Sequence, residues 1–313
     1  MRLHESLESI PAGAFEGGTA VAIGKFDGVH LGHRALLSRI ADVAEQRGLE
    51  PVVFTFANNP LSFLRPEACP QPIMSKRQRL ETLEQAGVTA CVIPPFDEAL
   101  AMLPAEQFVE DVLVGRLHVR HLCVGADFRF GRAGAGDPDL LRRMGEEHGF
   151  EVEVIDFVEA EGLGRVSSSR VREAVLQGDV ESAARMLDRP LAVRGEVVRG
   201  DARGRELGFP TANLGGELEG LVPADGVYAG WAVVGGERYA AAVSVGANIT
   251  FDPDGEPRVE AYLIDFSGDL YGRIVELRFA RRLRGMAAFA SVEALVERMH
   301  EDVRETRLIL AGH

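Results

Sequence analysis

The chain has 313 residues, 46% of them hydrophobic and 26% charged, which is enough for two buried cores and too apolar for a disordered polymer. Its 48 acidic residues outnumber 34 Lys plus Arg, giving a formal charge of −14, and with no basic run anywhere a broad nucleic-acid surface is excluded. The charged start MRLHESLESI, apolar runs that all fall short of the ~18 residues a membrane span needs, and three scattered cysteines without metal spacing (Cys69, Cys91, Cys123) predict a cytoplasmic protein with free thiols and no membrane partner.

In chain order, Ala20-Val-Ala-Ile23 reads as a buried strand, the glycine-rich Gly24–His33 (GKFDGVHLGH) as a turn, and Arg34 to Arg47 as a helix ending at Gly48. Pro51 to Phe56 reads as a strand, Ser75 to Ala86 as a helix with Ser75 and Gln78 spaced as a capping box, and Thr89 to Ile93 as a strand. A helix from Pro104 to Leu117, a strand from His121 to Gly125, a helix from Pro138 to Gly149 and a strand from Glu151 to Phe157 follow. Strand alternating with helix predicts a Rossmann-like α/β domain with a parallel sheet, and places ligands at the carboxyl ends of its strands.

Helices over Ser168–Gln177 and Val180–Leu187 close this half, and the pattern changes at Asp188-Arg-Pro190, so the expected domains are 1–187 and 188–313. Beyond that point lie strands at Leu191–Arg199, Gly226–Val234, Arg238–Val245, Arg258–Ile264 and Ile274–Phe279, which predict an antiparallel β-barrel or sandwich. A terminal helix follows, capped by Ser291 and running to Leu310, whose stripe Val292, Leu295, Val296, Met299 and Val303 is expected to pack on the barrel. The pattern leaves the oligomeric state undetermined.

Four stretches carry chemistry. A glycine turn entering a helix offers backbone N–H groups and a positive dipole to a polyphosphate, and His30 and His33, three apart, can each donate to a phosphate oxygen; the same pair can also cap or pack. Asp127-Phe-Arg-Phe-Gly131 interleaves aromatics with charge, reading either as a pocket for a flat ring or as a plug of the sheet edge. In Val166-Ser-Ser-Ser-Arg-Val-Arg172 the serines can cap a helix, or with Arg172 one turn in they can clamp phosphates. Thr211 and Asn213, two apart in an extended segment, face the same side and bring hard oxygens within reach of one Mg²⁺ or one phosphate.

These stretches resemble the bacterial bifunctional riboflavin kinase/FAD synthetase family over nearly the whole chain. GKFDGVHLGH is similar to its GxFDGVHxGH motif, DFRFG to its flavin-side loop, VSSSRVR to its ISSTxIR motif with Ser169 where threonine is usual, GRELGFPTAN (204–213) to its kinase signature, and VEAYLIDF (259–266) to its catalytic strand. The resemblance implies ATP and Mg²⁺, with riboflavin and FMN as the other substrates. It implies that Gly24, Phe26, Asp27, His30, His33, Ser168, Ser169 and Arg172 hold a nucleotide for adenylyl transfer, and that Asp127 and Phe128 face the flavin. It further implies that Gly208, Thr211 and Asn213 engage Mg-ATP in the barrel, that Glu260 is the base for the ribityl hydroxyl, and that Arg284 lies near the flavin.

Two departures stand out. Where the family reads TFxPHP, this chain reads Thr55-Phe-Ala-Asn-Asn-Pro60, so the uncharged Asn59 replaces a histidine. The alternative expectation is therefore a riboflavin kinase whose first domain is a weakened, altered-nucleotide or regulatory module. Asn248-Ile-Thr-Phe251 replaces NPTF, and Ile249 frees a loop that proline would stiffen.

Overall fold

The computed structural model describes residues 1–200, 204, 207–247 and 258–312; the Asn248–Phe251 loop lies outside them. They form two compact units, Met1–Pro72 with Lys76–Val166, and Ile73–Ser75 with Ser167–His313.

The first unit is built on six parallel strands: β1 (Arg2–His4), β2 (Thr19–Ile23), β3 (Glu50–Phe54), β4 (Ala90–Val92), β5 (Val119–Gly125) and β6 (Glu151–Ile155), in the order β1-β4-β3-β2-β5-β6. All five residues of β2 are buried, as a strand covered on both faces requires. Helix α1 (Leu31–Arg47) packs Leu37, Ile40 and Val43 inward and ends at Gly48 in the left-handed conformation. A core containing Ile23, Phe54, Phe108, Leu113, Leu122 and Phe130 includes the edge-on pair Phe54–Phe108, at 5.5 Å between ring centroids. Strand order reverses between β2 and β5, so the loops that follow these two strands leave the same carboxyl edge at the switch point.

Several elements differ from the sequence reading. β1 and the short helices α2 (Pro60–Leu64) and α4 (Glu98–Met102) are too brief to show a period. Helix α3 (Lys76–Gln85) forms as expected, but the Ser75 hydroxyl donates to Glu219 Oε2 at 2.7 Å. The helix expected over Pro104–Leu117 is α-helical only at α5 (Ala105–Gln107), then widens over Phe108–Val114, where Gly115 N–H reaches back to Glu110 O at 2.9 Å. That wider turn buries Phe108, Val109, Val112 and Leu113. Helix α6 (Pro138–His148) is capped by Asp137, whose carboxylate accepts from Leu140 N–H. A two-stranded ribbon, β7 (Glu159–Ala160) and β8 (Gly164–Arg165), ends this unit.

The second unit begins with α7 (Ser168–Leu176) and α8 (Val180–Leu187), followed by a closed antiparallel barrel. Its strands are β9 (Leu191–Val198), β10 (Ala212–Glu219), β11 (Gly226–Val234), β12 (Glu237–Gly246), β13 (Arg258–Leu263) and β14 (Ile274–Arg284), paired around the ring as β10-β13-β12-β11-β14-β9. The sequence reading missed β10, since ANLGGELE has two interior glycines and little apolar alternation. The strand nevertheless joins β9 to β13, with a register shift after Gly215 where Gly216 takes φ +70°. Closure satisfies every strand edge, which compensates for the weak local preference of this segment.

The terminal helix α9 (Val292–Leu310), capped by Ser291, packs on β11, β12 and β14 of the barrel as expected, but its apolar stripe is only partly covered. Val292 is 42% exposed, Leu295, Val296, Met299 and Val303 are only half-buried, and the buried positions are Asp302 and Thr306. Asp302 accepts from Arg284 Nη2 at 2.8 Å and pairs with Arg298 at 3.0 Å, so an ion cluster fastens this helix to β14. Asp302→Ala is expected to destabilise this unit by about 3 kcal/mol, because it leaves two arginines without their shared carboxylate. A denaturant midpoint that does not fall would show that the cluster contributes nothing net.

Candidate active sites

At the carboxyl end of β2 the backbone turns through three left-handed residues, Phe26 (φ +51°), Gly28 (φ +86°) and Val29 (φ +42°). Only the glycine adopts this without cost; the other two are held there because both side chains are fully buried. His30 is the N-cap of α1, and His33 lies in its first turn. The rings of His30 and His33 stack at 3.8 Å between centroids, and His33 also lies 5.0 Å from the Phe26 ring. A Cβ at Gly32 would press within 3.2 Å of the His30 imidazole, so any larger residue there would have to displace that ring. The loop thus gathers Gly24, Phe26, Asp27, His30 and His33 beside the first N–H groups of a 17-residue helix.

The neighbouring loops are equally constrained. After β3, the Asn58 side chain bonds Phe96 N–H at 2.7 Å, and Asn59 caps α2 by accepting from Leu61 N–H at 3.1 Å. Asn59 therefore has a structural task of its own, with Pro60 in the first-turn position that proline tolerates. After β5, Asp127 pairs with Arg165 at 2.8 Å. Phe130 is core, and Phe128 is half-buried, stacked on it at 5.6 Å between centroids and packed against the same core.

His121, Cys123 and Glu153 bring ligand-type atoms within 4.8 Å of one another across β5 and β6, although their sequence spacing suggested nothing. Arg39 already holds both Glu153 oxygens, at 2.9 and 2.7 Å, and burial pushes the Cys123 thiol up to about 12, so the group behaves as an ion-paired network with a neutral thiol.

Ser168, Ser169 and Arg172 stand at the start of α7 in the second unit. Ser167 is the actual N-cap, accepting from Arg170 N–H, which puts Ser168 in the first helical position and Arg172 one turn further on.

In the barrel, strand alternation buries Val259, Ala261 and Leu263 and turns Glu260 and Tyr262 to the outer face, where they are half-buried. Glu260 lies opposite Asn213 of β10 in register, and its Oε2 accepts from Thr211 Oγ1 at 3.2 Å. Gly208 takes φ +84° in the turn before this pair, and Phe209 N–H closes that turn onto Gly204 O at 2.7 Å. Phe209, which the sequence reading did not single out, anchors the loop edge-on against Tyr262 at 5.2 Å and His300 at 4.8 Å. Arg284 is engaged by Asp302 and lies 5.6 Å from the Phe289 ring.

A Rossmann-like sheet with paired histidines at its switch point, joined to a barrel that sets a carboxylate beside a threonine hydroxyl, defines a two-domain enzyme of nucleotide-dependent group transfer. The family model of FAD synthetase matches residues 13–170 and that of riboflavin kinase residues 187–310. A bifunctional riboflavin kinase/FMN adenylyltransferase of Pseudomonas fluorescens is 39% identical over 295 residues, covering 94% of either chain. That of Escherichia coli (strain K12) is 36% identical over 288 residues, 91% of this chain and 90% of its own. A solved structure described as a macrolide-efflux protein from Streptococcus pneumoniae superposes with TM-score 0.84 at 33% identity, covering 97% of this chain and 98% of that one. The chain belongs to the bifunctional riboflavin kinase/FMN adenylyltransferase family. Among the described residues no helix is long and apolar enough to cross a membrane.

Proposed function

We propose that residues 188–313 phosphorylate riboflavin to FMN with ATP, and that residues 1–187 transfer an adenylyl group from a second ATP to FMN, forming FAD and releasing pyrophosphate. The observation that carries the first step is the Thr211–Glu260 hydrogen bond, which holds a carboxylate beside a hydroxyl on the outer face of the barrel. Glu260 takes the proton of the ribityl 5′-hydroxyl as that oxygen attacks the γ-phosphorus, and ADP leaves. Thr211 and Asn213 bring hard oxygen donors to one place beside Glu260, a pair that fits Mg²⁺. They would hold the ion, which supplies charge neutralisation on the phosphates. Gly208 gives the loop its close turn, and Arg284 orients the flavin side through its position beside Phe289.

For the second step, the α1 N-terminus with Gly24, Phe26, Asp27, His30 and His33 neutralises the phosphates of ATP while an FMN phosphate oxygen attacks the α-phosphorus. Asp127 and Phe128, on the loop after β5, face the flavin. The two family matches, one on each half, favour two activities over a regulatory first domain, and the capping role of Asn59 gives that residue a reason independent of catalysis. The three free cysteines support a reducing, cytoplasmic setting.

Incubating the full chain with riboflavin, ATP and Mg²⁺ and separating the flavins is expected to show FMN and then FAD. FMN without FAD would remove the adenylyl-transfer reading, and no FMN would remove both.

A further inference from the structure

The loops at the carboxyl ends of β2 and β3 are fastened by a side chain from neither strand. Arg79, on α3, donates from Nη1 to Lys25 O at 3.0 Å and from Nη2 to Phe56 O at 2.7 Å. Lys25 O also accepts from Thr55 Oγ1 at 3.1 Å, so both of its lone pairs are committed. Lys25 immediately precedes Phe26, the first left-handed residue of the phosphate loop, and Phe56 lies three residues before Asn59. We propose that Arg79 is a positioning residue for adenylyl transfer, holding the loop that carries His30 and His33 against the loop that carries Asn59. The proposal rests on the adenylyl-transfer reading of the first domain.

The arrangement is costly for a fastening with no further purpose. Burial pulls the Arg79 guanidinium below its usual range, opposed by the Asp27 carboxylate, and among the described residues its buried Nε finds no hydrogen-bond partner. What the cost secures is geometry. A planar fork fixes two carbonyls relative to each other, where an ammonium would be a movable point charge. Orienting the Lys25 carbonyl also orients the following peptide, and with it the turn through Phe26, Gly28 and Val29 that delivers His30 to the helix start.

The test uses the full chain with FMN, ATP and Mg²⁺, measuring kcat and the KM for ATP in FAD formation, with riboflavin phosphorylation assayed on the same samples. Arg79→Met is expected to lower kcat/KM for FAD formation about 100-fold, the scale of a roughly 1 Å misplacement of reacting groups, while FMN formation is unchanged. The KM for ATP should rise about fivefold, a change that a smaller folded fraction alone would not produce. Arg79→Lys, which keeps a cation able to reach the carbonyls, should return FAD formation to within about tenfold of wild type. FAD formation by Arg79→Met within twofold of wild type overturns the proposal, as does a lower rate with unchanged KM and no rescue by lysine. If the wild-type chain makes FMN but no FAD, the reading beneath the proposal fails and the proposal falls with it. An active wild type beside an unaffected Arg79→Met overturns the role of Arg79 alone.

Discussion

Replacing Glu260 by glutamine is expected to lower riboflavin phosphorylation by about 10²–10⁴-fold, the range a positioned general base contributes, while conversion of supplied FMN to FAD continues unchanged. The substitution is nearly isosteric. A glutamine carbonyl can still accept the Thr211 hydroxyl that now bonds Glu260 at 3.2 Å, so the loop and the β10–β13 pairing should survive. What is lost is the ability to take up a proton. The expected signature is therefore a fall in kcat with little change in the KM for ATP. Loss of both activities together would argue against two independent sites, and retention of FMN formation would remove Glu260 as the base.

The second large effect is expected at the paired histidines. His30→Ala and His33→Ala should each reduce FAD formation by about 10²–10³-fold, as loss of a preorganised donor to a developing phosphate charge does, and leave FMN formation intact. The rings stack at 3.8 Å, so removing one also frees the other to move. The double variant should consequently lose much less than the product of the single losses, because the pair acts as a unit. Strictly multiplicative losses would mean that the stack carries no coupling. Losses within twofold of wild type at both positions would assign the histidines to packing.

Several of these residues were legible from local rules. A glycine turn between a buried strand and a helix is visible in the sequence, and it presents the first free N–H groups of that helix whatever surrounds it. The alternation of an extended segment placed Thr211 and Asn213 on one side, and Asn213 sits opposite Glu260 in the barrel. Other residues had no local signal. Arg79 lies in KRQRL, where nothing separates it from the solvated cations beside it; only the position of α3 beside the ends of β2 and β3 turns it onto two carbonyls. Phe209 shares a motif with Thr211, yet its role as anchor depends on Tyr262 and His300, far away in the chain. The apolar stripe of α9 was visible, but its fastening to β14 through Asp302 was not, because Arg284 is eighteen residues away in the chain and meets Asp302 only in the fold.

The sequence by itself determined strands β2 to β6 and the longer helices α1, α3 and α6 between them, the change to strands after Leu187, and the turn that carries His30 and His33, because periodicity and glycine placement act over a few residues. Only the tertiary structure decided that the weak segment Ala212–Glu219 is a strand. Its neighbours β9 and β13 each offer an unpaired edge, and closing the barrel satisfies both at once. The same closure brings Thr211, Asn213 and Glu260 to one place, so this candidate site is a product of strand pairing between segments some fifty residues apart, which no local pattern can encode.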